Sequence, residues 1–173
     1  MPLATHYARW AALLAVLSLC VGCDQVTKQI ARQRLEGQPQ RSYCADTVRL
    51  VYAENPGAFL GLGGELPPNF RWFLLVVVNA LVATGIGVYL ALNSKMPPVR
   101  ALACALLLGG AIGNLIDRVR FDGLVIDFLN LGVGPVRTGI FNVADVAVSV
   151  GAVLLILPHF APAKPEGPSA EAA

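Results

Sequence analysis

The stretch GGAIGNLIDR, residues 109–118, changes from an apolar run dotted with glycines into a polar one carrying an amide, a carboxylate and a guanidinium. The segment GLVIDF, residues 123–128, follows and adds a second carboxylate. The segment FNVAD, residues 141–145, places another amide and carboxylate on a different apolar run. Ionisable groups at or near bilayer depth are costly, so by default they mark a functional site. Two carboxylates that converge from separate apolar runs indicate a reaction.

The composition of the 173 residues, 55% hydrophobic and 14% charged, indicates a membrane protein. A soluble domain usually carries about 25% charged residues, so this chain is apolar enough to be integral to a bilayer. Its formal net charge of +2 is too small to indicate a nucleic-acid partner, and no basic stripe with interleaved aromatics is visible. Three of the four cysteines lie in apolar runs, so we expect no disulfide framework.

The first apolar run, residues 10–23, supports two interpretations. At about fourteen residues it is short for a membrane span, which needs about twenty. It resembles a cleavable signal sequence, and a lipoprotein would be cut just before Cys23. Alternatively the helix continues through residues 24–28, where Asp24 and Lys28 lie four apart on one helical face in the favourable order of acid before base. We favour the continuing helix, because a paired and inward-facing Asp24 and Lys28 are tolerated at a membrane boundary.

Three later apolar runs predict membrane-spanning helices, at residues 73–94, 101–116 and 138–160. Gly109 and Gly113 lie four apart in the second of these runs, which allows another helix to approach closely. The last run is interrupted only by Asp145.

The segments between the spans are polar. Residues 29–71 form a long connection in which residues 47–52 have strand character, and Asn55 with the following Pro56 and Gly57 is a turn signal. Residues 119–137 are expected to be a mixed loop, and residues 161–173 a disordered tail. The chain is therefore predicted to be an all-α membrane protein, with four transmembrane helices and a small sheet on the membrane surface. It forms one domain over residues 1–160, and charge counting leaves its orientation open.

The polar residues of the last two spans fall on defined faces. Asn114, Asp117 and Arg118 occupy positions i, i+3 and i+4 of the third helix and so share a face. Asn142 and Asp145 are three apart on the fourth. Two carboxylates brought close together in a low-dielectric site tend to share one proton. Such a pair can hydrolyse an amide, because one carboxylate takes a proton from water while the other protonates the carbonyl oxygen or the leaving nitrogen.

Other chemistries have weaker support in the sequence. His6 and His159 lie near opposite ends of the chain, so no Ser/His/Asp arrangement and no grouped metal ligands are visible. Asp117 and Arg118 are interpreted as a structural ion pair that caps the third helix, and the asparagines as hydrogen-bonding residues. A proton or cation pathway through the buried acids of a small carrier is the main rival to catalysis.

Four segments together resemble the lipoprotein signal peptidases, the signal peptidase II family of intramembrane aspartyl proteases. They are residues 24–28 (DQVTK), 55–59 (NPGAF), 109–118 with 127–128, and 141–145. The resemblance extends from about residue 9 to residue 159, and it implies that Asp127 and Asp145 are the catalytic pair. It further implies a set of residues that line or brace the site, namely Asp24, Lys28, Asn55, Asn114, Asp117, Arg118 and Asn142.

The resemblance also implies the reaction and its place. Family members cut prolipoproteins immediately before a diacylglyceryl-modified cysteine, at the outer face of the bacterial inner membrane. The loops at residues 29–71 and 119–137 would then face the periplasm, where a small extracytoplasmic β-sheet forms a cradle, and both termini would lie in the cytoplasm. The expected partners are diacylglyceryl-modified prolipoproteins and membrane lipids. The protein is expected to be a monomer without metal or organic cofactor.

Two departures from the family pattern lie in the outer loops. Asp122 makes the segment before Asp127 one residue longer than is usual in the family. Asp122 is also an alternative to Asp127 as the catalytic aspartate, but Asp127 matches the family pattern better because it follows Val125 and Ile126 and precedes Phe128. The usual Asn-x-Gly-Ala-Ala-Phe is one alanine short, since Ala58 is followed directly by Phe59. Both changes affect the shape of the predicted cradle and substrate preference more than the chemistry.

Overall fold

A computed structural model describes residues 3–57 and 65–156, apart from the side chain of Pro68. It contains the helices α1 (Leu3–Leu35), α2 (Pro68–Leu92), α3 (Pro98–Arg120) and α4 (Val143–Ile156). Its strands are β1 (Arg41–Tyr43), β2 (Val48–Asn55), β3 (Val125–Val133) and β4 (Val136–Arg137). By length and composition α1, α2 and α3 can cross a membrane, and α4 is a shorter apolar helix. A helical fold with long apolar helices and a small sheet is thereby confirmed.

The first helix is longer than predicted. It continues without a break through Asp24 and Lys28 to Leu35, so a polar connection starting at residue 29 was wrong. The last turns remain helical because Ala31 and Leu35 are buried and pack with Phe128 of β3. The helix therefore joins the membrane-spanning part of the chain to the sheet.

The sheet is larger than predicted, and it occupies much of the segment expected to be a mixed loop. Its four strands are antiparallel in the order β1-β2-β3-β4. The prediction of a loop over residues 119–137 was wrong, because α3 runs on to Arg120 and β3 and β4 follow. A register shift in β2 between Leu50 and Ala53 marks a bulge, which bends the strand locally.

The fourth helix starts later than the predicted residue 138. Residues 138–140 have no regular structure, and Phe141 forms an isolated bridge with Leu129 of β3. The backbone N–H groups of Thr138 and Phe141 and the Phe141 carbonyl are bonded to β3, so they do not enter a helix. Residues 157–160 of the predicted span, like the predicted tail, lie outside the described residues.

Helix α3 is the centre of the helical part, since α1, α2 and α4 all pack against it. Small residues make this possible. A Cβ at Gly109 would lie 2.7 Å from Cys20 Cβ, and one at Gly113 would lie 2.6 Å from an Asp24 carboxylate oxygen. A Cβ at Gly110 would lie 2.5 Å from the Ala144 carbonyl oxygen. The predicted close helix approach at Gly109 and Gly113 is confirmed, and it brings the polar residues of three helices together.

Candidate active site

Asp127 and Asp145 line one cavity of about 400 Å³. Asp127 lies on β3 and is only 2% exposed, whereas Asp145 lies in the first turn of α4 and is half-buried. The cavity is bounded by α3, β3, α4 and the segment before α4, and its lining includes Asn114, Arg118, Thr138, Ile140, Phe141, Val146 and Val150. Both carboxylates singled out in the sequence therefore reach the same space.

The Asp127 carboxylate is held by two amides. Asn55 donates from Nδ2 to one of its oxygens at 2.9 Å, and Asn142 donates from Nδ2 to the other at 2.6 Å. Asn55 reaches it because β2 pairs with β3 beside Asp127. Asn142 is fully buried at the start of α4.

The Asp145 carboxylate also receives neutral donors. Asn114 donates from Nδ2 at 3.0 Å, and the backbone N–H of Asn142 donates at 3.2 Å. In return the Asn142 side-chain oxygen accepts from the backbone N–H of Asp145 at 3.0 Å, which is the reciprocal arrangement of a capping box. Asn142 thus touches both carboxylates while it caps the helix that carries one of them.

The environment of Asp127 favours its protonated form. Burial raises the pKa of the Asp127 carboxyl to about 6, and the charge of Asp145 acts in the same direction, while the hydrogen bonds from Asn55 and Asn142 act against this rise. An aspartate in water has a pKa of about 3.9. A proton can therefore be held in this cavity close to neutral pH.

A second carboxylate pair lies behind the cavity, with a cation between its members. Lys28 Nζ lies 2.8 Å from Asp24 Oδ2 and 2.9 Å from Asp117 Oδ2. All three side chains are at least 98% buried. The predicted pairing of Asp24 with Lys28 is confirmed. The predicted ion pair of Asp117 with Arg118 was wrong, because Asp117 faces α1 and takes Lys28 as its partner.

The ion cluster is connected to the cavity through Asn114. Lys28 Nζ donates to Asn114 Oδ1 at 2.9 Å. An ammonium group can only donate, so the oxygen of this amide must face Lys28 and its NH₂ group faces Asp145. The cation therefore fixes the orientation of the amide that binds one cavity carboxylate.

Arg118 is 7% exposed and lies at the cavity wall. Its guanidinium donates to the carbonyl oxygens of Asn114 at 3.3 Å and of Gly57 at 3.1 Å, and its Nε has no hydrogen-bond partner among the described residues. The predicted turn after Asn55 is described only as far as Gly57, whose N–H donates to the Asn55 side chain at 2.9 Å. Ala58 and Phe59 of that motif lie outside the described residues.

A second cavity of about 290 Å³ reaches the same polar residues from the side of α2. It shares Asn114, Arg118 and Asp145 with the first cavity. The rest of its wall is nearly all apolar and comes from α2, α3 and α4, with Leu75, Val78, Val82, Ile86, Leu107, Ala111 and Val148 alongside Asn79. An apolar ligand group between the helices can thus lie next to Asp145.

Sequence reasoning missed several groups that hold the site. Gln25 contacts both carboxylates of the ion cluster. The backbone N–H of Ala144 donates to Asp24 at 2.8 Å, and that of Ile126 donates to Asp117 at 3.1 Å. Backbone donors carry no residue signal, whereas Gln25 stands inside the motif at residues 24–28. In the described parts of the chain, no three His, Cys, Asp or Glu side chains are grouped to hold a metal.

The chain is similar to known proteins over most of its length. The sequence profile of the family described as signal peptidase (SPase) II matches residues 16–161. The lipoprotein signal peptidase of Moorella thermoacetica is 39% identical over 158 residues, which are 90% of this chain and 95% of that protein. That of Sphingopyxis alaskensis is 37% identical over 152 residues, which are 87% of this chain and 84% of that protein.

The fold has solved counterparts. One structure, described as a bacterial membrane enzyme, aligns with a TM-score of 0.73 at 24% identity and covers 91% of this chain and 94% of its own. A second, with the same description, aligns with a TM-score of 0.70 at 23% identity. At this identity the likeness shows the fold alone. The family profile and the two relatives together show that this chain belongs to the signal peptidase II family, a family of membrane-embedded proteases.

Proposed function

We propose that this peptidase cleaves the signal peptide of prolipoproteins just before the diacylglyceryl-modified cysteine, with Asp127 and Asp145 as an aspartic catalytic pair. The observation that carries the proposal is that both carboxylates line one cavity and are held there by neutral amides. The substrate class follows the curated relatives, which are lipoprotein signal peptidases.

The pair hydrolyses the peptide bond with a single shared proton. In the first step the ionised carboxylate takes a proton from water, the resulting hydroxide attacks the scissile carbonyl carbon, and the protonated carboxyl gives its proton to the carbonyl oxygen. In the second step the carboxyl that took its proton from water gives that proton to the amide nitrogen as the carbon–nitrogen bond breaks. The other carboxylate takes the proton of one hydroxyl of the intermediate as the carbonyl forms again. The pair ends with one proton, ready for the next turnover.

The amide donors suit this chemistry. Two carboxylates close together in a low-dielectric site tend to share a proton. The charge of Arg118 acts on both, but the described hydrogen bonds of its guanidinium go to the backbone carbonyls of Asn114 and Gly57. Asp127 and Asp145 receive their described hydrogen bonds from Asn55, Asn114 and Asn142. Those bonds fix the two carboxylates without adding a positive charge. The shared proton belongs to the pair rather than to either residue.

The other residues that the family resemblance places at the site have supporting roles in this proposal. Asp24, Lys28 and Asp117 brace the three helices and the start of β3. Asn114 orients Asp145, and the buried Arg118 with its unpartnered Nε offers a hydrogen bond to a peptide carbonyl at the wall shared by both cavities.

The second cavity suits a substrate that is tethered in the bilayer. Its apolar wall, formed by α2, α3 and α4, takes the lipid-bearing part of the substrate while the scissile bond reaches the aspartates. In this proposal α4 is a fourth span, both termini are cytoplasmic and the sheet and active site face the periplasm. Residues 1–160 act as one domain in the inner membrane, and the protein works as a monomer.

A cleavage assay in detergent tests the proposal. The substrate is one prolipoprotein, prepared with and without the diacylglyceryl group on its cysteine. Asp127→Asn and Asp145→Asn are each expected to lower the rate at least about a hundred- to ten-thousandfold, the usual contribution of a positioned acid or base. The matched control is Asp122→Asn, because Asp122 is exposed with φ of 51°, a conformation that asparagine also tolerates.

The outcomes are distinct. Cleavage of only the lipidated form, lost in both site variants and kept in the Asp122 variant, supports both the reaction and the pair. Rates near wild type in either site variant would remove the catalytic pair. Equal cleavage of the two substrate forms would remove the lipid requirement and leave the aspartic chemistry standing.

A further inference from the structure

Gln25 is a partly buried polar residue of α1 that lies outside the lining of both cavities. Its Nε2 lies 2.9 Å from Asp117 Oδ1 and 3.2 Å from Asp24 Oδ2, and also 3.1 Å from the carbonyl oxygen of Gly113. It lines neither cavity beside Asp145. One NH₂ group therefore faces two carboxylates and one carbonyl, all of them acceptors.

The charge of the ion cluster explains why a donor is needed there. Lys28 has three N–H groups, and its three partners are Asp24, Asp117 and Asn114. The ammonium group therefore has no hydrogen left for the remaining carboxylate oxygens. With one cation for two carboxylates, a further neutral donor limits the repulsion between them, because buried carboxylates need hydrogen bonds.

The position of Lys28 matters for the cavity. Its bond to Asn114 Oδ1 turns the amide so that Nδ2 reaches Asp145 at 3.0 Å. Should Asp24 and Asp117 move apart, Lys28 would follow one of them and release the Asn114 oxygen. The oxygen would then keep only the longer hydrogen bond from Asn142 Nδ2, at 3.2 Å. An amide held less firmly can rotate and present its oxygen to Asp145, which would replace a hydrogen bond by a repulsion.

We infer that Gln25 is a positioning residue: its amide donor holds the Asp24–Lys28–Asp117 cluster in the geometry that keeps Asn114 aimed at Asp145. This inference rests on the proposed function of Asp145. Gln25 acts through three intervening side chains and touches no substrate, so its loss should lower kcat and leave KM unchanged.

The groups that face Gln25 set the pH dependence of a test variant. Asp24 and Lys28 come from α1 and Asp117 comes from α3, with Arg118 close enough to interact with Asp117. The chain segments beyond them, β3 and the start of α4, contribute backbone N–H groups to the same carboxylates. A carboxyl introduced at position 25 would thus face two carboxylates, and it donates only while it is protonated.

The test compares Gln25→Leu with Gln25→Glu in the full-length protein. The leucine variant removes the donor at every pH, so kcat on the lipidated substrate is expected to fall roughly tenfold throughout, about the effect of one hydrogen bond to a charged group. The glutamate variant keeps the shape but adds a charge. The ratio of its kcat to that of wild type at the same pH is expected to be lowest at high pH and to recover as the pH is lowered. The matched control is Gln29→Glu, since Gln29 is exposed on the same helix.

The result divides the possibilities. A folded leucine variant with wild-type kcat at all pH values would overturn the inference, as would a changed KM with unchanged kcat. A glutamate variant that matches wild type at high pH would show that only the shape of the side chain matters, which also overturns it.

A second measurement does not depend on activity. The thermal unfolding midpoint of Gln25→Glu in detergent, compared with wild type, should show a deficit that is smallest in acid and grows as the pH rises, because the deprotonated form adds a third negative charge. A deficit that does not change with pH would contradict the inference. Failure of the wild-type protein to cleave would count against the proposed function, while this pH-dependent deficit still decides the placement of Gln25.

Discussion

The molecule contains two pairs of carboxylates that differ in what lies between them. Asp24 and Asp117 share a buried ammonium group, that of Lys28. Asp127 and Asp145 share a buried amide, that of Asn142, which bonds one through its side chain and the other through its backbone. A cation between two carboxylates offsets their charge, whereas an amide orients them without adding charge. The first arrangement suits a structural role, and the second suits the proton sharing that is proposed for Asp127 and Asp145.

The two pairs also differ in exposure. The ion cluster is sealed between helices, while Asp145 is half-buried and faces both cavities. Asn114 joins the two, since its oxygen accepts from Lys28 and its nitrogen donates to Asp145. In the proposed function the first pair supports the structure and the second pair reacts. This comparison gives three predictions, from the largest expected effect to the smallest.

The largest effect on stability is expected for Lys28→Met. Removing one partner of a buried ion pair costs about 3–5 kcal/mol, because the remaining charges are left uncompensated. The free energy of unfolding in mixed micelles measures this loss, with the exposed Lys95→Met as the control. At a pH well above 6, Asp127→Asn should by contrast lose less stability than Lys28→Met. The variant replaces one of the two amide hydrogen bonds by a contact between two NH₂ groups. It also removes a carboxyl whose raised pKa makes its ionisation cost stability progressively as the pH rises from about 3.9 to about 6.

The comparison fails if the two variants lose similar stability. In that case the carboxylates of the cavity would be as strongly tied to the fold as those of the ion cluster. A loss of stability well below about 3 kcal/mol in Lys28→Met would show that the ion cluster contributes little to the fold, which would also contradict the comparison.

A smaller effect is expected for Gly113→Ala. The added Cβ would lie 2.6 Å from Asp24 Oδ2 and 3.3 Å from Ala144 Cβ, so α1 or α4 must shift. Overpacking of this kind costs about 1–3 kcal/mol, and unfolding in the same micelles measures it. Gly85→Ala is the matched control, because nothing lies within 4 Å of a Cβ placed there. Equal stability of the two variants would mean that the helices at Gly113 yield freely.

The smallest effect is a displacement of the pH profile in Asn55→Ala. The Asn55 hydrogen bond lowers the pKa of Asp127, so its removal should raise that pKa above about 6 and keep the shared proton to higher pH. The alkaline fall of kcat is therefore expected to move upwards, by about one pH unit or less, which corresponds to about 1.4 kcal/mol. Asn79→Ala serves as the control, since Asn79 bonds the Ala111 carbonyl and not Asp127. A downward shift would contradict the described role of Asn55.

Much of the fold follows from local patterns in the chain. Uninterrupted apolar runs predict α2 and α3, because the number of residues that cross a bilayer is fixed by its thickness. The pairing of Asp24 with Lys28 is equally local, since residues four apart on a helix are neighbours. The start of α4 was not predictable in this way, because residues 138–141 are apolar enough for a helix but are bound to the edge of β3.

At the site, too, some features follow from the local sequence and others depend on tertiary contacts. Asp127 and Asp145, the proposed catalytic residues, stand out in the sequence because carboxylates are costly in apolar surroundings. Their partners do not, because hydrogen bonds such as that of Asn55 to Asp127 join residues 72 positions apart. The ion pair assigned to Asp117 and Arg118 was wrong for this reason, since adjacent residues on a helix point in different directions.

The sequence by itself determined that this is a membrane protein of the signal peptidase II type, and it marked Asp127 and Asp145 as candidate catalytic residues. Only the tertiary structure decided which acid pair receives the cation and which receives the amides. The physical reason is the set of small residues in α3, which let α1 and α4 approach closely enough for Lys28 to reach Asp117. Lys28 therefore forms its ion pairs with Asp24 and Asp117, whereas the described side-chain hydrogen bonds to Asp127 and Asp145 come from Asn55, Asn114 and Asn142.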